Sequence, residues 1–218
     1  EALSTEDANG DQNTAIGYQA LKAMNADTDT HGQNTAIGHQ AGVALTTGIK
    51  NTIIGALAGT AAITGDGNVI VGYESGKAIT DGFDNVLLGR DAGKAITGGF
   101  SNILIGRFAG GSIETGDNNI AIGTATLMNL NEGVIENVAI GTAAGYALTS
   151  GTKNVFLGRS AGDQATTSDN CVVIGNRACV QNMTGNDNVV IGEAAGAELL
   201  AGADNVFIGQ AAGNTATT

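Results

Sequence analysis

A five-residue phrase, Asn followed by three apolar or small residues and then Gly, recurs along almost the whole chain. Asn51-Thr52-Ile53-Ile54-Gly55, Asn68-Val69-Ile70-Val71-Gly72, Asn85-Val86-Leu87-Leu88-Gly89 and Asn102-Ile103-Leu104-Ile105-Gly106 are clean copies. The closing glycines run Gly17, Gly38, Gly55, Gly72, Gly89, Gly106, Gly123, Gly141, Gly158, Gly175, Gly192 and Gly209. After a first step of 21 residues every step is 17, apart from one of 18 between Gly123 and Gly141. A fixed period of this length marks a repeat architecture in which each unit stacks on its neighbours. One elongated domain over residues 1–218 is expected, with an irregular first coil at 13–33 and regular coils over 34–218. Because repeats run to both ends, the chain reads as a fragment of a longer fibre.

With the Asn as position one, position two is Thr, Val or Ile, position four is Ile, Val or Leu, and positions eight and nine are mostly Ala-Gly. Position twelve is usually Ile, Leu or Ala, and position fifteen is Gly in nine of the ten coils from Gly48 to Gly202. Each coil therefore reads as strand, Gly turn, second short strand, Gly turn. The expected fold is all-β, a β-solenoid or β-roll of about twelve 17-residue coils with two short strands per coil. Asn stacked at the strand spacing of about 4.8 Å can hydrogen-bond as a ladder, so Asn51, Asn68, Asn85 and Asn102 and the glycines Gly55, Gly72, Gly89 and Gly106 are read as structural.

Strand side chains alternate faces. The reading places positions two and four inside and positions one, three and five outside. Position three is nevertheless apolar in every coil, as in Ile53, Ile70, Leu87, Leu104, Phe156, Val173, Val190 and Phe207. A strand apolar on both faces is covered on both faces. These eight residues are thus the expected interface of an oligomer.

Gly is 35 of 218 and Pro is absent, which suits many tight turns joined by short strands. A net charge of −12 disfavours nucleic acid and anionic membrane surfaces as partners. No apolar run approaches the roughly 18 residues of a membrane span, so no membrane insertion is expected in this fragment. The two cysteines, Cys171 and Cys179, replace framework residues of one coil; a disulfide between them and two buried thiols are both open. Aspartates recur before the Asn at Asp66, Asp84, Asp117, Asp169, Asp187 and Asp204. They read as solvated turn residues bonding their own backbone, with calcium as the weaker alternative. Arg90, Arg107 and Arg159 share position six with Tyr18, His39 and Tyr73, a column that suits either ordinary rim surface or sugar contact. No catalytic constellation, metal site or cofactor motif stands out, and an enzyme is not expected.

The phrase Asn-x-x-Ile-Gly-x-x-Ala-Gly, at 34–42, 137–145 and 205–213, resembles the head repeats of trimeric autotransporter adhesins and similar repeats in phage tail fibres and bacterial fibrous adhesins. The resemblance covers about residues 13–213. It implies a parallel homotrimer of left-handed β-rolls on a cell-surface, outer-membrane-anchored fibre or a virion tail fibre. The implied function is attachment to a cell-surface receptor, a glycan above all, by avidity. The insertion at Met24 to His31 is the candidate binding loop. The rival readings are an ice-binding solenoid using Thr64, Thr80, Thr97, Thr115, Thr149 and Thr184, and a polysaccharide-degrading tail spike.

Overall fold

The computed structural model describes residues 12–24, 32–131 and 133–214. Twelve three-residue strands, from β1 (Thr14–Ile16) through β5 (Val86–Leu88) and β6 (Ile103–Ile105) to β12 (Val206–Ile208), form one sheet in sequential order. Every pair is parallel and in register, so each position faces its own copy in the next coil, as Ile70 faces Leu87 and Leu87 faces Leu104. This is the expected β-solenoid. It carries one strand per coil among the described residues rather than two. The far wall is held by inter-coil bonds outside any strand, such as Thr80 N and Gly82 N to Thr97 O at 3.0 and 3.1 Å. Left-handed backbone recurs at the corners of each coil. Position seven has positive φ in all twelve coils, from Gln19 through Phe108 to Ala211, and the residue preceding the Asn repeats it, as at Asp84 and Ser101.

The phase of the strand is the reverse of the expected one. Ile53, Ile70, Leu87, Leu104, Phe156, Val173 and Val190 are fully buried inside their own chain, and Phe207 packs on the same core. They cannot line an interface. The alternation itself holds, with positions one and three inward and positions two and four outward.

The Asn column makes this phase affordable in free energy. Asn34, Asn51, Asn68, Asn85, Asn102, Asn119, Asn137 and Asn154 are buried, yet each amide finds partners. Asn85 Nδ2 donates across its own coil to Gly99 O at 2.7 Å, and Asn85 Oδ1 accepts from Asn102 N at 3.0 Å and Asn102 Nδ2 at 3.1 Å. A buried polar group that is fully hydrogen-bonded escapes the desolvation penalty. The same geometry ties each coil shut and ties it to the next. At position five, Gly89 has φ +139°, and a Cβ there would sit 2.7 Å from the carbonyl of Gly106. No side chain fits that approach.

Position three packs across the narrow coil against position nine, and in two coils a larger residue at nine goes with Ala at three. Where position nine is Leu21 or Leu127 instead of Gly, position three is Ala15 or Ala121. Where position three is Phe156, a Cβ on Gly162 would collide with its ring. Leu45, Ile79, Ile96, Ile113 and Leu148 of position twelve close the core from the far side.

Candidate functional site

The outward face of the sheet consists of two columns. Position two carries Thr14, Thr35 and Thr52 and then Val or Ile from Val69 to Val206; position four is Ile, Val or Leu from Ile16 to Ile208. None of these residues is buried. Leu88 is 42% exposed and Ile140 39%, both in the middle of the sheet. Twelve strands about 4.8 Å apart give a stripe on the order of 50 Å long and, at two side-chain columns wide, on the order of 500 Å². Isolated soluble chains rarely expose more than a few hundred Å² of contiguous apolar surface. The second apolar face of the strand is therefore carried by positions two and four rather than by position three.

The flank of the stripe, at positions six to ten, carries the polar chemistry. Tyr18 and His39 stack at 5.4 Å. Arg90 and Arg107 lie over the Phe108 ring at 5.5 and 4.6 Å, and Arg90 also pairs with Asp91 at 3.2 Å. Glu74 bridges Lys94 at 2.7 Å and Lys77 at 3.1 Å, and Lys94 reaches Asp91 at 3.0 Å. Hydrogen bonds from these two lysines hold the Glu74 carboxyl down at about 2 and, in return, raise Lys94. Among the described residues Arg159 has no salt bridge or ring contact, and it opens onto a cleft. On the turn before the Asn, Phe83 and Phe100 stack at 5.0 Å.

Cys171 and Cys179 are free thiols, both buried, so the disulfide alternative is corrected. Cys171 takes the place of an Asn rung; its Sγ lies 3.4 Å from Gly185 O, the carbonyl an Asn amide would reach. Cys179 Sγ contacts Met183 Sδ at 3.3 Å instead. Burial raises both thiols, Cys179 to about 12. Three of the six turn aspartates bond a neighbouring coil rather than their own backbone. Asp66, Asp117 and Asp169 accept from the amides of Ile49, Phe100 and Thr152 of the coil before, at 2.8, 3.0 and 2.7 Å. Among the described residues no group of three His, Cys, Asp or Glu is placed to hold a metal ion. No helix among them is long and apolar enough to cross a membrane.

The threonines of the far wall are engaged within the chain. Thr80, Thr97 and Thr149 donate their hydroxyls to carbonyls of the next coil at 3.0–3.3 Å. The Met24 to His31 insertion lies, beyond Met24, outside the described residues. Compared with known families, curated proteins and solved structures, the chain matches no family model, no curated protein and no solved structure.

Proposed function

We propose that the chain is a rigid, non-enzymatic segment of a trimeric attachment fibre, carried on a cell surface or a virion, that presents repeated weak sites to a cell-surface glycan. The observation that carries this reading is the aliphatic outward face of the twelve-stranded sheet. Position three is already covered by the chain's own core, so further copies of the chain are the natural cover for positions two and four. Three such faces can close around one axis, each copy using the same columns. Closed rotation also ends the association at a finite rod.

Attachment then works by avidity. Three identical sites on a stiff rod engage a repetitive surface together and gain affinity without new contacts. The test uses the intact chain beside an Ile105→Asp, Ile122→Asp double variant, whose carboxylates face outward from mid-sheet. The expected result is binding of the intact chain to a panel of bacterial surface glycans, with binding by the dissociated variant at least tenfold weaker. Equal binding by both forms, or none by the intact chain, refutes the reading.

A further inference from the structure

Two of the four arginines are engaged with Phe108, and Arg90 also with Asp91. The other two, Arg159 and Arg177, are exposed and have neither a salt bridge nor a ring contact among the described residues. They belong to adjacent coils, joined where Arg177 N donates to Arg159 O at 2.9 Å. On a chain of net charge −12 this is a local concentration of unpaired positive charge. Both line a cleft of about 280 Å³, together with Asp163, Gln164, Val180 and Gln181.

Around the cleft the coil of Cys171 departs from most others, in a way that the coil of Asn51 shares at Ile63. In the coil of Cys171 the core residue is Met183 at position thirteen rather than twelve, and Cys179 stands where most coils have Gly. The rim of that coil is displaced by one residue. One coil earlier, Ala147 N donates to Asp163 O at 3.0 Å; the corresponding pair here, Gln164 and Val180, is not hydrogen-bonded. Asp163 lies at the parting. Its Oδ1 is buried and receives no hydrogen bond, and burial raises its carboxyl against the opposing influence of the Ser160 hydroxyl and the Arg177 charge.

We propose that this cleft binds an acidic sugar unit of a glycan, with Arg159 and Arg177 holding its carboxylate. Guanidinium groups pair with carboxylates in a planar, bidentate fashion. A bare oxyanion such as sulfate would meet the Asp163 carboxylate and be repelled. A ring that brings hydroxyl donors along with its carboxylate suits both charges at once. Gln164 and Gln181 each offer donor and acceptor atoms for those hydroxyls, and Val180 offers an apolar surface to the ring carbons. The volume lies at the small end for ligand clefts, which matches a single sugar ring. This assignment rests on the attachment reading for its biological setting and names the ligand class of that attachment.

The test is calorimetric titration of the full chain, as it assembles in solution, with trigalacturonate, neutral trigalactose and inorganic sulfate. Trigalacturonate is expected to bind at least tenfold more tightly than either of the others. Arg159→Gln and Arg177→Gln should each weaken it about tenfold or more, the scale of one lost charged hydrogen bond. Asp163→Asn should weaken the sugar and strengthen sulfate, an opposite pair of shifts that damage to the fold would not produce. No binding of trigalacturonate at millimolar concentration, unchanged binding in Arg177→Gln, or sulfate binding as tightly as the sugar overturns the assignment. Cell attachment measured in parallel separates the two readings. Attachment unaffected by Arg177→Gln leaves the fibre reading standing and removes the cleft; trigalacturonate binding without attachment to any cell does the reverse.

Discussion

Replacing Cys171 with Asn restores the interrupted rung of the amide ladder and should stabilise the chain. From Asn34 to Asn154 each rung's backbone N–H donates to the side-chain oxygen of the rung before, and Cys171 N likewise donates to Asn154 Oδ1 at 2.9 Å. Asn188 N then has no carboxamide oxygen to meet, because Cys171 carries a sulfur; the ladder resumes at Asn205 N to Asn188 Oδ1, 3.0 Å. An Asn at 171 would supply that oxygen and a full-strength donor to Gly185 O. Two neutral hydrogen bonds at about 0.5–1.5 kcal/mol each give a gain of about 1–3 kcal/mol. The reverse change, Asn102→Cys, removes donors to Gly116 O (2.7 Å) and Asn85 Oδ1 (3.1 Å) and the acceptor for Asn119 N (3.0 Å). Its expected cost is about 2–4 kcal/mol, larger because buried partners are left unsatisfied. Both variants are compared by urea unfolding under reducing conditions at one protein concentration, since assembly couples stability to concentration. A midpoint that rises for Cys171→Asn and falls for Asn102→Cys, with unchanged slopes, is the expected pair. If Cys171→Asn lowers the midpoint, or Asn102→Cys leaves it in place, the ladder is not what holds the coils together.

Three further outcomes follow from the same geometry. Position-seven alanines in left-handed backbone, Ala143 (φ 57°) and Ala194 (φ 53°), should each stabilise the chain by about 0.5–1 kcal/mol when changed to Gly, read as a raised urea midpoint, because relief of the left-handed strain outweighs the entropy lost by Gly. Native protein at pH 8 should leave both thiols unreactive to a thiol-disulfide reagent, with two per chain appearing on denaturation, because burial holds Cys179 up near 12 and raises Cys171 as well. The Glu74 carboxyl should titrate by NMR near 2 rather than 4.5, and Lys94→Met should move it upward. Since its folded value is depressed, its contribution to stability is complete above the unfolded value of 4.5 and is lost as pH falls toward 2, with salt diminishing it.

The repeat was legible because stacking forces each coil to reuse one geometry, so Asn85 and Gly89 could be assigned structural roles from their spacing alone. The phase of the strand was misread at the Asn. A polar residue looks outward-facing until its amide is seen to bond the opposite wall of its own coil, as Asn85 bonds Gly99. A partial signal was present in the sequence: Ala15 with Leu21 and Ala121 with Leu127 trade volume between positions three and nine, whereas Ala36 with Gly42 and Ala139 with Gly145 do not. The second strand expected on the far wall does not form, although the apolar column at position twelve that suggested it is buried. The cleft between Arg159 and Arg177 was hidden by their different positions in the coil. The regular bond from position seven to position six of the coil before sets them side by side, and both line the same cleft.

The central claim is that the outward aliphatic columns are buried between copies of the chain. Absolute mass by light scattering behind a sizing column tests it most directly. A trimer of the 21.6 kDa chain, near 65 kDa, that falls to the mass of a single folded chain when Ile105 and Ile122 are both changed to Asp is the predicted result. A soluble particle of 21.6 kDa for the unaltered chain would leave about twelve coils of aliphatic surface facing water and contradict the account.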